Sequence, residues 1–312
     1  MPLTLITGPA NAAKAGAVFE RLRAALPREP LLVVPTAADA AHYQRELAAA
    51  GVVFGAEVVT FRRLVRELAR ITGVGGRVLG RVARERVVRA VVAEARLEAL
   101  AASARTPGFA AALGALFSEL QRSLAGPARF FAAVRAWRAA GDAPAHAEEL
   151  TALYAAYHRR LEGLGAVDAD GLAHAALDAL RARPAAWPGR PLFLYGFDDL
   201  TPDQLDTVEA LVRLAAAEVC VTLPYEPGRA ALAGSAATVE LLKPLAAEHI
   251  ALPARSEHYS PPARGALHHL ERARALYNAE QHPCYRFHYG QDIGVAALCY
   301  QAGRSYARSP IF

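Results

Sequence analysis

The residues with the clearest chemical arrangement are Gly8-Pro9-Ala10-Asn11-Ala12-Ala13-Lys14-Ala15. They follow a short apolar run, LTLITG at 3–8, and precede helical periodicity over 11–26. A glycine and a lysine at this spacing, between a strand and a helix, match the phosphate-binding loop GxxxxGK[ST]. In such a loop the second glycine lets the backbone approach phosphate, the lysine reaches the β- and γ-phosphates, and the hydroxyl holds Mg²⁺. Here Ala13 stands for that glycine and Ala15 for the hydroxyl residue. Lys14 and Lys243 are the only lysines among 35 basic residues. Gly8, Asn11 and Lys14 are therefore the candidate nucleotide-binding residues, of a degenerate kind. No cofactor is demanded; ATP with Mg²⁺ would be held weakly.

Charge points to a second chemistry. The net charge is +5, and residues 60–90 hold nine arginines against Glu67 and Glu85. Such a cluster suits a polyanion such as nucleic acid. Arg62, Arg66 and Arg70 recur at i, i+4 and i+8 on the polar side of a helix. Arg77, Arg81 and Arg84 would form a similar stripe if the next helix starts near Gly76. Phe61 or Tyr43 could stack on bases. A solvated face in an arginine-rich chain is the competing reading.

Other constellations are absent from the sequence. Cys220, Cys284 and Cys299 show no CxxC spacing and read as free thiols. The ten histidines include the pair His268-His269 but no HExxH, and read as structural or surface residues. Asp168 and Asp170 precede a helix, where Asp170 suits a cap better than catalysis. No catalytic or metal-binding residue is assigned.

The elements that must position these residues alternate at first. Strands at 31–35 and 52–60 and helices at 37–50 and after Thr60, a candidate cap, imply a parallel sheet with helical crossovers. On the helix after Thr60, Phe61, Leu64, Val65 and Leu68 share one face. From 76 to 183 the pattern is helical, broken at Pro107, Gly126-Pro127, Gly141–Pro144 and Gly163–Gly165. Strands return at 191–195 and 218–223, around a helix at 202–216 opened by Thr201-Pro202. The expected fold is α/β, a P-loop NTPase-like parallel sheet with a large all-helical insertion. The expected domains are 1–75 with 184–250 (α/β), 76–183 (helical) and 251–312, an unassigned tail. From Tyr277 that tail holds five of the 11 tyrosines, which reads as a truncated or read-through end.

Leu194-Tyr195-Gly196-Phe197-Asp198-Asp199-Leu200-Thr201-Pro202-Asp203-Gln204 resembles the UvrD-type helicase motif VDExQDTxxxQ. The resemblance puts Tyr195 and Gly196 where the Mg²⁺-binding, water-activating Asp-Glu pair stands, and leaves Asp199 and Gln204 at matching offsets. The strand at 219–223 then runs into Pro224-Tyr225-Glu226, where those helicases have GDxxQ. Val33-Val34-Pro35-Thr36-Ala37 with Gln44–Leu47, Val59–Leu64 and Val167–Leu172 are similar to further segments in the right order. Over residues 3 to about 226 the chain resembles the N-terminal, helicase-like part of AddB-type (RexB-like) helicase–nuclease subunits. The resemblance adds Thr36 to Phe61, Arg62, Arg66 and Arg70 as candidate DNA-binding residues. It implies DNA repair and recombination, single-stranded or duplex-end DNA and an AddA-like subunit as partners, and a C-terminal nuclease elsewhere in the complete protein. An active DNA-dependent ATPase and a protein-interaction scaffold without DNA are the alternatives.

With 54% hydrophobic residues the chain can bury a large core. No apolar run reaches the ~18 residues a membrane span needs, and the start lacks the pattern of a signal peptide. A cytoplasmic location is expected.

Overall fold

The computed structural model describes residues 3–10, 12–49 and 55–255. The expectations for Asn11, for the tail beyond residue 255, and for Cys284 and Cys299 fall outside them.

Along the chain, β1 (Leu3–Gly8), α1 (Lys14–Ala24), β2 (Leu31–Val34), α2 (Ala37–Ala49) and β3 (Glu57–Thr60) alternate, and β3 runs directly into α3 (Phe61–Ile71). Next come β4 (Arg77–Val78), α4 (Arg81–Glu94), α5 (Ala101–Ala104), α6 (Phe109–Arg122), α7 (Pro127–Ala139) and α8 (Ala147–Gly163). Then follow β5 (Ala166–Val167), α9 (Ala169–Ala182), β6 (Leu192–Leu194), α10 (Pro202–Arg213), β7 (Val219–Pro224), α11 (Ala236–Leu242) and β8 (Ala246–Ala251).

A six-stranded sheet has the order β3-β2-β6-β7-β1-β8, and β1 runs parallel to both β7 and β8, as β6 does to β2 and β7. The apolar runs LLVV in β2 and VCVTL in β7 are buried without alternation, as strands covered on both faces require. The mixed α/β class expected from the sequence is therefore present.

Two compact units divide the chain. One holds the described residues of Met1–Val58, Arg190–Asp199 and Glu218–Phe312; its core includes Ile6, Val18, Phe19, Leu22, Leu32, Val34 and Phe193. The other holds Val59–Gly189 and Leu200–Ala217 and is mainly helical, with Val88, Leu113, Phe117, Tyr154 and Tyr157 in its core. On α3, Phe61, Leu64, Val65 and Leu68 form the buried face that their spacing predicts. Among the described residues, no helix is long and apolar enough to cross a membrane.

Two local expectations are corrected. α1 starts at Lys14, because Ala13, expected inside the helix, adopts a left-handed conformation (φ 56°, ψ 35°) that no helix can include. Within the segment expected to be purely helical, β4 and β5 pair in parallel, Arg77 with Ala166 and Val78 with Val167. Beyond Tyr225, where the sequence signal weakens, α11 and the edge strand β8 continue the α/β part of the chain.

Candidate nucleotide loop and nucleic-acid face

Gly8 ends β1 at the point where the chain leaving β8 passes closest. A Cβ there would lie 2.6 Å from the Leu252 carbonyl oxygen and 2.8 Å from the Ala12 Cβ, so the position requires glycine. The Leu252 amide donates to the Thr7 carbonyl at 2.8 Å, and the Thr7 hydroxyl lies 3.0 Å from His249 Nε2. The loop closes through the Ala12 amide onto the Pro9 carbonyl at 3.1 Å. Its last residue, Ala13, keeps the left-handed backbone at the position where the phosphate-binding motif has glycine. For alanine that conformation costs roughly 1–2 kcal/mol.

Lys14 is the first residue of α1, and its ammonium folds back into the loop. Nζ donates to the carbonyls of Gly8 at 2.7 Å and Pro9 at 2.5 Å. Burial without a carboxylate lowers its pKa from 10.5 to about 8. The first turn of α1 carries no acidic residue, so its free N–H groups and this ammonium both favour an anion.

Ala15 and Tyr195 pack on the same apolar cluster. The Tyr195 ring meets Tyr43 edge-on at 5.4 Å and tilts against Phe19 at 6.2 Å. Burial raises the pKa of both tyrosines. Gly196 (φ 84°) turns the chain away beside Pro35. Asp199 accepts a hydrogen bond from the Thr238 hydroxyl. Gln204 Oε1 accepts from the Thr201 amide at 3.0 Å, in the capping box that starts α10.

The residues expected to meet nucleic acid separate into two kinds. Thr36 is a helix-starting residue: its amide and hydroxyl donate to the Asp39 carboxylate at 3.1 and 2.7 Å, and the Asp39 amide donates back at 3.1 Å. Phe61 is only 8% exposed, so its ring belongs to the core and is not presented for stacking. Arg62 and Arg66 are exposed and form no ion pair among the described residues. Arg70 is exposed but chelated by Glu67 at 2.6 and 2.8 Å. Thr60 sits at the N-cap of α3 without a side-chain capping bond.

The second arginine stripe does not exist. α4 begins at Arg81, Arg77 lies on β4, and Arg84 turns inward. The Arg84 guanidinium donates to the Tyr157 hydroxyl at 3.1 Å, Asp168 Oδ2 at 3.3 Å, the Gly114 carbonyl at 2.8 Å and Ser118 Oγ at 2.9 Å. Asp168 also accepts from Tyr157 at 2.6 Å, from Gln121 at 3.2 Å and from the Gly171 amide at 2.8 Å. Asp168, not Asp170, is thus the N-cap of α9; Asp170 pairs with Arg122 in the first turn. This buried network was invisible in the sequence, where only the run of arginines could be seen. Among the described residues no cluster of His, Cys, Asp or Glu is arranged to hold a metal ion.

A parallel sheet whose first strand runs through a lysine-bearing loop into a helix defines a mixed α/β protein. The family model described as "ADDB, N-terminal" matches residues 5–248, and the chain belongs to that family, the N-terminal regions of AddB-type DNA-repair helicase–nuclease subunits. No curated protein matches the chain.

Proposed function

We propose that this chain is a DNA-binding, non-hydrolysing module of an AddB-type subunit in double-strand-break processing, working in the cytoplasm beside an AddA-like motor. Its fold is then a P-loop-like α/β domain (1–75 and 184–250) interrupted by a helical insertion (76–183). The observation that carries the reading is the contrast within one loop. Ala13 and Lys14 retain the backbone and the cation of a phosphate-binding loop, while Ala15 and Tyr195, packed on the apolar core, stand where Mg²⁺ ligands are needed. Phosphoryl transfer depends on a bound metal and a positioned water. Neither an alanine methyl nor a buried tyrosine hydroxyl supplies the first, and Gly196 has no side chain for the second. The residues present therefore suit a phosphate but do not suit Mg²⁺.

DNA contact is assigned to the exposed Arg62 and Arg66, with Arg70 in support; their side chains track phosphates without reading bases. Nucleotide binding and turnover are tested separately. Equilibrium dialysis with ATP is expected to give weak binding that Lys14→Ala abolishes. Phosphate release with single-stranded DNA present is expected to stay at background. Steady release that disappears in Lys14→Ala would replace this reading with an active ATPase.

A further inference from the structure

The mainly helical unit carries a groove of about 440 Å³ lined by the aliphatic Leu79, Val82, Val87 and Leu164 together with Arg77 and Arg86. Two of these aliphatic residues are unusually open to water, Val82 at 62% and Leu164 at 46% exposed, and Val78 on the adjoining strand β4 is 41% exposed. Bare aliphatic groups gathered at one place mark an interaction surface.

Its electrostatics are one-sided. The lining holds two guanidinium groups and no carboxylate. Arg77 and Arg86 are exposed and form no ion pair among the described residues. The groove also adjoins the start of α4, where Gly80 provides no capping side chain and no acidic residue occupies the first turn. The free N–H groups there add to the preference for negative charge. The lining contains no aromatic ring, so nucleic-acid bases have nothing to stack on.

An apolar lining that also carries two cations and no carboxylate selects a ligand with leucine-like side chains on one face and carboxylates beside them. We propose that this groove docks an acidic amphipathic helix of a protein partner, its apolar face on Val82 and Leu164 and its carboxylates toward Arg77 and Arg86. Helix-in-groove recognition uses this pairing of apolar anchors and flanking charge.

The test uses the full chain and a fluorescent synthetic helical peptide with leucines at i, i+3, i+4 and i+7 flanked by glutamates. A lysine-for-glutamate version and a shuffled version serve as controls. The acidic peptide should bind, and Val82→Asp should weaken it by about tenfold or more, the equivalent of losing one buried aliphatic contact. Val82 is exposed enough that circular dichroism should show the variant folded. Arg77→Glu with Arg86→Glu should weaken the acidic peptide and strengthen the lysine version. No binding of the acidic peptide, or equal binding to Val82→Asp, overturns the proposal. So does a single-stranded oligonucleotide that binds in place of the peptide and loses affinity in Val82→Asp, which would give the groove to nucleic acid.

Discussion

The Arg84 guanidinium reaches Asp168 across 3.3 Å, where the carboxylate side chain is only 1% exposed. Asp168 caps α9 while Arg84 extends from α4 to the carbonyl of Gly114 in α6, so one ion pair ties three helices. Removing either partner leaves a desolvated charge, which typically costs about 3–5 kcal/mol. Asp168→Ala and Arg84→Met should each destabilise the chain by that order in urea denaturation. The double variant should lose less than the sum, since the second substitution removes the stranded charge. Additive losses would show that the two residues act independently.

Ala13 offers a gain instead of a loss. Ala13→Gly removes the left-handed strain and should raise stability by about 1 kcal/mol, net of the flexibility glycine adds to the unfolded chain. The neighbouring change Gly8→Ala should do the opposite, because its methyl would meet the Leu252 carbonyl. Unfolding midpoints that move together in the two variants would contradict the loop geometry.

Lys14 sets a pH dependence whose sign is fixed by burial. Its folded pKa of about 8 lies below the ordinary 10.5, so the folded state disfavours the proton. Below about pH 8 the lysine is charged in both states and the penalty is constant. As pH rises from about 8 towards 10.5 the unfolded chain holds the extra proton and stability increases. Lys14→Met should lack that rise, and the difference between the two unfolding curves isolates it. Phosphate or nucleotide affinity should fall over the same range in the parent chain, because the neutral amine attracts no anion. A flat affinity profile would remove Lys14 from the site.

The arginines of α3 should reveal themselves through salt. Each phosphate contact contributes about 0.7 to the slope of log affinity against log salt for single-stranded DNA. Replacing Arg62 and Arg66 with alanine should flatten the slope, and adding Arg70→Ala should change it less, because Glu67 already neutralises Arg70. An unchanged slope in the Arg62/Arg66 double variant would take DNA away from this helix.

The parts legible in the sequence were those written in local pattern. LTLITG, LLVV and EVCVTL announced buried strands, and Thr201-Pro202 announced a helix start; each is present within a few residues. β8 was missed because AAEHIA is a largely exposed edge strand with no alternation to read. Arg84 was misread for a related reason: on the page it is one arginine among nine, and only the tertiary arrangement of Tyr157, Asp168 and Ser118 turns it inward. The turn between Gly8 and Lys14 was placed from the sequence, but the left-handed Ala13 was not, since composition gives alanine no reason to adopt it.

The strand that carries the loop has a demanding history on the ribosome. Both neighbours of β1 come from far along the chain, β7 at Val219–Pro224 and β8 at Ala246–Ala251. At ordinary synthesis rates of about 5–20 residues per second, the interval before β8 emerges is on the order of 10 to 50 s. Throughout it, LTLITG is an apolar segment with two open edges, the kind of strand that pairs wrongly with other chains. A translational stall before β7 should therefore harm this protein more than one after it, and early capture by a chaperone that holds extended apolar segments should improve its yield.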